Sequence, residues 1–183
     1  TLRTIPPAGR RNAKATSKGE KMANSATKLP AVLPAVRILI VCMGNTCRSP
    51  MVMAFARQAF AERGVPVIVE SAGMMDELLD GVQFLTANPH SIDIVADHGL
   101  DLSKHIPRHI SVFNLSAFDR IICVNASVKS KLIELGGPEG NIRILNEAAG
   151  GLKDPYELGR EAYDACCVTV KAELPNVLVG LLG

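Results

Sequence analysis

In the stretch RILIVCMGNTCRSPM an apolar run ends in Cys42, Arg48 follows six positions later, and Ser49 and Pro50 stand directly behind it. A buried strand has no need of a cysteine at its end, and a turn has no need of an arginine. A site that holds a small dianion and attacks it uses both. Backbone N–H groups of a compact loop, with Gly44 permitting a tight path, can surround phosphate oxygens. A helix N-terminus behind the loop adds about half a positive charge. Arg48 brings a planar fork that matches two oxygens of a phosphoryl group. The same positive field favours the thiolate of a cysteine placed inside it. A thiolate aimed at bound phosphorus splits one hard hydrolysis into two displacements through a cysteinyl-phosphate. Taken singly, Cys42 reads as a buried strand-end thiol and Arg48 as a surface ion pair. Their joint occurrence on a strand-to-helix turn favours phosphoryl transfer. No GK[ST] ending follows a glycine-rich loop, so a nucleoside triphosphatase finds no support.

The elements that must position these residues alternate. Short β-branched runs and helical patterns follow one another, which argues for βαβ units, a parallel sheet and an α/β fold. VRILIVC (36–42) reads as the first strand, apolar on both faces as a central parallel strand should be. Ser49 then supplies an N-cap and Pro50 an N1 residue for a helix over 51–63, ended by Gly64. Residues 65–71 read as the second strand, and Asn88-Pro89 opens a helix that runs to Gly99. Residues 119–125 read as the third strand, with Asn125 capping a helix that ends at Gly136-Gly137. Residues 141–145 read as the fourth strand, and a last helix spans 157–174, ended or kinked by Pro175.

One domain plus a tail fits 183 residues, and no apolar run approaches a membrane span. The net charge of +2 hides an asymmetry: residues 1–36 carry seven Lys or Arg against Glu20, a charge of +6, and thirteen basic against seventeen acidic residues leave the remainder at −4. We therefore expect a basic, disordered extension over 1–36 and a phosphate-handling domain over 37–183. The extension is acid-poor, like an organelle transit peptide, but shows no amphipathic stripe. Its charge spacing gives little support for nucleic-acid binding. The five cysteines form no CxxC pair and leave one over, so a reducing compartment, the cytoplasm, is expected, with an organelle as the alternative if the basic segment is a transit peptide.

VCMGNTCRSPM, VESAG and KDPY, in this order, resemble the low-molecular-weight protein tyrosine phosphatase family, whose relatives include protein arginine phosphatases and thioredoxin-coupled arsenate reductases. The resemblance runs from about Arg37 to the last helix. It implies a four-stranded parallel sheet with helices on both faces, a phosphate-binding loop after the first strand, no cofactor and no metal. It implies a phosphorylated protein as substrate, phosphate or another oxyanion as ligand, and neither nucleic acid nor membrane as partner. By that resemblance Cys42 is the nucleophile and Arg48 the phosphate clamp, within a loop made of Met43, Gly44, Asn45, Thr46, Cys47 and Ser49. Ser49 donates its hydroxyl to the thiolate. Asn45 braces the loop through Ser71 and His105. Asp154, held extended by Pro155, is the general acid and base that an ester's leaving oxygen requires. Tyr156 walls the pocket for a flat substrate group. Cys47 is a neighbour able to form a reversible disulfide with Cys42, or simply a small packed residue. Cys166 and Cys167 point different ways from the last helix, so at least one belongs to the core.

Thr46 stands where tyrosine-directed members commonly carry a bulkier apolar residue, and in this it resembles the arginine phosphatases. Glu157 follows Tyr156 where a second tyrosine is common, giving an acidic outer wall. Asn125 replaces a usual acid, which puts a secondary carboxylate in doubt. A phosphotyrosine-type activity is the primary reading and phosphoarginine the alternative, since specificity is a difference of several contacts. An arsenate reductase would need two further cysteines after the second helix, where only Cys123 is present. A catalytically silent phosphate-binding module is disfavoured by Cys42, Arg48 and Asp154 occurring together.

Overall fold

The computed structural model describes residues 35–79 and 85–182 of the chain. The basic segment expected over 1–36 lies outside the described residues except for its last two, and Val36 is already the first residue of a strand. Four parallel strands, β1 (Val36–Cys42), β2 (Val67–Gly73), β3 (Arg120–Cys123) and β4 (Ile142–Ile144), form one sheet in the order β2-β1-β3-β4. Ile38, Leu39, Ile40 and Val41 have no exposed surface, because β1 is central and covered on both faces. Among the described residues four α-helices connect and flank the strands: α1 (Arg48–Glu62), α2 (Pro89–Asp97), α3 (Ala126–Glu134) and α4 (Arg160–Val177). α1 carries the chain from β1 outward to β2, and α3 carries it from β3 outward to β4 in the opposite sense. With right-handed crossovers the two helices cover opposite faces, giving three layers. Strand order reverses at β1, so the crevice beyond its carboxyl end is the topological switch point where α/β sheets bind ligands.

The local signals explain most boundaries. Asn88 Oδ1 accepts from His90 N at 3.0 Å and Pro89 opens α2. Asn125 Oδ1 accepts from Val128 N at 2.9 Å and caps α3. The strands β3 and β4 are shorter than expected by one or two residues at their ends, and three elements depart for reasons visible in their contacts. Helix α1 starts at Arg48 with Cys47 as its N-cap, so Ser49 and Pro50 lie inside the first turn. Ser49 does not cap because its hydroxyl is turned toward Cys42, and Pro50 is tolerated because first-turn N–H groups have no helical acceptor anyway. Strand β2 starts two residues late because the Val65 N–H is taken by the Phe60 carbonyl that closes α1. Helix α4 starts at Arg160, behind left-handed Glu157 and Gly159, and passes through Pro175 to Val177. Leu174, Val177 and Leu178 are buried, and that packing outweighs the hydrogen bond that proline removes. Both Cys166 and Cys167 are buried. Among the described residues, no helix is long and apolar enough to cross a membrane, and no three His, Cys, Asp or Glu side chains are grouped to hold a metal ion.

Candidate active site

Cys42 ends β1, and the chain turns through Met43–Cys47 into α1. The loop is held from outside by its carbonyls. Met43 O accepts from Met74 N and Met75 N at 2.7 and 3.1 Å, Thr46 O from Asn88 N at 2.9 Å, and Cys47 O from the Ser91 hydroxyl at 3.2 Å. Among the described residues the N–H groups of Gly44, Thr46 and Cys47 have no acceptor. A loop that spends its carbonyls outward and keeps its amides free is built to receive an anion.

The centre of this loop is Asn45, fully buried and left-handed at φ 51°. Gly44, expected to supply the tight path, does not adopt a left-handed backbone; the asparagine does, which its side chain tolerates better than most. Asn45 Nδ2 donates to Ser49 Oγ at 2.8 Å and to Ser71 Oγ at 2.9 Å, and Asn45 Oδ1 accepts from Arg108 N at 2.9 Å. His105 donates from Nε2 to the Asn45 carbonyl at 2.8 Å, which selects the Nε2–H tautomer. Burial pulls the His105 imidazole below its ordinary value, helped by the charges of Arg108 and Arg57 and opposed by this hydrogen bond. Ser71 and His105 thus both reach Asn45.

Two donors converge on Cys42 Sγ. Asn45 N lies at 3.3 Å and Ser49 Oγ at 3.0 Å. Because Asn45 Nδ2 already donates to Ser49 Oγ, the serine's own proton is free to point at the sulfur, and a thiolate can only accept it. Gly73 makes the approach possible. A Cβ there would stand 2.6 Å from Met43 O and 3.0 Å from Asn45 N, so the glycine of VESAG lets β2 close against the loop.

A cavity of about 120 Å³ opens over the sulfur, walled by Cys42, Thr46, Arg48, Asp154, Tyr156 and Met75. Arg48 is buried, donates from Nη1 to Leu152 O at 3.3 Å, and pairs through Nη2 with the half-exposed Asp154 carboxylate. Asp154 also accepts from Tyr156 N at 3.3 Å, a local turn across Pro155 that leaves the half-exposed Tyr156 lining the cavity. Met43, Gly44 and Cys47 complete the lining. Glu157 does not line it. Its left-handed backbone, φ 63°, belongs to an exposed turn, so the expected acidic outer wall is absent from the cavity. Cys47 is a free thiol, as are Cys42, Cys123, Cys166 and Cys167. Its sulfur lies 3.1 Å from the buried Tyr163 hydroxyl, and burial pushes the Cys47 thiol up. Burial also pushes Cys166 up to about 12. Tyr163, Met75 and Gly73 were not singled out as site residues from sequence. Only Gly73 carried a signal, as the end of VESAG. A larger hollow of about 450 Å³ beside α3 contains neither a cysteine nor an arginine, so size alone does not locate the chemistry.

The arrangement places a thiol, a guanidinium and a carboxyl around one small cavity floored by unpaired amides. Such a set can bind a tetrahedral dianion and displace a group from it. Comparison with known proteins points the same way. The sequence pattern described as low molecular weight phosphotyrosine protein phosphatase matches residues 37–181. The chain is 35% identical over 130 residues to a probable low molecular weight protein-tyrosine-phosphatase, EpsP, of Ralstonia solanacearum, covering 69% of this chain and 83% of the relative. Its fold is similar to that of a low molecular weight protein tyrosine phosphatase from T. tengcongensis (TM-score 0.70, 23% identity, 80% of this chain and 100% of the other). It is also similar to a Drosophila arginine phosphatase (TM-score 0.67, 25% identity, 77% and 94%). The chain therefore belongs to the low molecular weight phosphotyrosine protein phosphatase family and is a phosphoric monoester hydrolase.

Proposed function

We propose that the Cys42 loop removes phosphate from phosphotyrosine side chains of proteins in two displacements. The amides of Gly44, Thr46 and Cys47 and the fork of Arg48 hold the three peripheral oxygens. The Cys42 thiolate attacks phosphorus from below, and Asp154 delivers a proton to the leaving phenol oxygen. Asp154 then takes a proton from the water that cleaves the phosphorus–sulfur bond, and the Ser49 hydroxyl stabilises the departing thiolate. Asp154 is the ion-pair partner of Arg48. A phosphoryl group bound between them takes over the guanidinium and leaves the carboxyl facing the leaving oxygen. The observation that carries this reading is the convergence of Ser49 Oγ and Asn45 N on Cys42 Sγ, 3.0 and 3.3 Å away, beneath a cavity that also contains Arg48 and Asp154. Tyr156 at the mouth supports a flat aromatic substrate. Cys47, lining the same cavity, is the thiol available to trap an oxidised Cys42 as a disulfide. Five free thiols support a reducing compartment, the cytoplasm.

Thr46 supports a second reading, phosphoarginine. It is buried, it walls the cavity, and its hydroxyl and small volume suit a guanidinium better than an isoleucine would. The test is kcat/KM for a phosphotyrosine and a phosphoarginine peptide side by side, with Cys42→Ser as the blank. A preference for phosphotyrosine is expected. A preference for phosphoarginine that reverses in Thr46→Ile establishes the second reading. Turnover in Cys42→Ser equal to wild type rejects the nucleophile.

A further inference from the structure

A second concave surface of about 360 Å³ lies on the outer side of the strap that braces Asn45. Its inner wall is the segment His105–Arg108, whose other side holds the loop through His105 Nε2 and Arg108 N. Three cations line it, Arg57 from α1 together with Lys104 and Arg108, over an apolar floor of buried Met53 and Leu102, with exposed Ile106 at the rim. Arg57 Nη2 donates to the Val69 carbonyl at 2.6 Å, which orients the guanidinium without cancelling its charge. Arg108 is fixed by its pairing with Glu70 and stands 4.8 Å over the Phe113 ring. Among the described residues neither Arg57 nor Lys104 has a carboxylate within ion-pair distance. One carboxylate, Asp101, lines the surface, and it is engaged by Ser103 N at 2.7 Å.

Held guanidiniums, an unpaired lysine and an apolar floor make a site for a charged head on an apolar body. We propose that this surface binds a small organic anion, and that its occupancy is linked to the catalytic loop through His105. The linkage has a definite sign. Arg57 and Arg108 disfavour a proton on His105, and an anion seated among them offsets that field. The bound anion therefore raises the His105 pKa, and by reciprocity the anion binds more tightly as pH falls, by about tenfold for each unit of that rise. This cavity is separate from the one over Cys42 and meets the catalytic loop through His105 Nε2 and Arg108 N.

The test is an NMR titration of the full chain under reducing conditions, following backbone amides and the His105 imidazole. The probes are phenylphosphonate, phenylacetate, inorganic phosphate and benzylammonium. Phenylphosphonate is expected to move the amides of Asp101–Arg108 along a saturation curve distinct from that of Gly44–Cys47, to raise the His105 pKa, and to bind there more tightly than inorganic phosphate. Phenylacetate binding at the same amides supports the site and extends it to carboxylates. Replacing Arg57 and Lys104 together by Gln should weaken this binding about tenfold or more while the Gly44–Cys47 titration persists. If that pair of changes unfolds the chain, Lys104→Glu alone, at an exposed position, should weaken it comparably. Shifts confined to Gly44–Cys47, an unmoved His105 pKa, equal binding of benzylammonium, or indifference to these substitutions each overturn the proposal.

Discussion

Replacing Asn45 by Ala isolates the brace beneath the nucleophile. The substitution deletes donors to the buried Ser49 and Ser71 hydroxyls and the acceptor for Arg108 N, and it leaves a methyl-bearing residue at φ 51°. Each lost hydrogen bond costs about 1 kcal/mol net, and the orphaned amide about 1–3 kcal/mol. The left-handed backbone adds about 1 kcal/mol for alanine. Together these bring the expected destabilisation to about 4–6 kcal/mol, a large part of a typical domain's stability. Urea unfolding with an unchanged m-value measures it. Asn45→Gly relieves the backbone and should recover about 1 kcal/mol of the loss. Asn45→Asp separates bracing from chemistry. Its carboxylate still accepts from Arg108 N, but the Ser49 proton now turns to the carboxylate and away from Cys42. Its stability loss should stay below about 2 kcal/mol, while kcat falls about 10- to 100-fold, because a hydrogen bond to a charged sulfur is withdrawn. An Ala variant within about 1 kcal/mol of wild type with intact kcat refutes the reasoning.

Three further outcomes are expected. Because the His105 imidazole is held below its ordinary 6.5, its contribution to stability is fully present above that value and is lost as pH falls through the lower folded value; the urea midpoint should drop more steeply from about pH 8 to about pH 5 in wild type than in His105→Gln, and identical slopes would exclude this origin. Gly73→Ala drives a Cβ against Met43 O and should cost about 1–3 kcal/mol with a displaced loop, so unaltered stability would show that β2 can retreat freely. Asp154→Asn should slow phenyl phosphate about 10²- to 10⁴-fold and the activated p-nitrophenyl ester far less; equal losses on both would remove Asp154 from the proton path.

The site's core was legible because it is local. Cys42, the amides after it and Arg48 lie within seven residues, and a strand-to-helix turn brings them together however the rest of the chain folds. The caps at Asn88 and Asn125 were legible for the same reason, each side chain serving an N–H two or three residues away. The start of α1 was not. A serine followed by proline satisfies the local rule for an N-cap, but tertiary contacts recruit the Ser49 hydroxyl for Cys42 and Asn45 and move the helix start to Arg48. Local preference ranks glycine first for a left-handed residue, yet in this loop Asn45 takes that backbone and Gly44 does not, because five hydrogen bonds made by Asn45 to partners along the chain hold it there.

By itself the sequence determined the alternation of elements, the chemistry of the loop and the class of ligand it holds, because these depend on residue type and short spacing. The tertiary structure alone decided that Asp154 meets Arg48 across 106 positions, that Tyr163 reaches Cys47 across 116, that Met75 walls the cavity, and that Glu157 does not. Those contacts depend on how crossovers of fixed hand and packed helices α1 and α4 deliver distant segments to one end of the sheet, and no local propensity encodes that delivery.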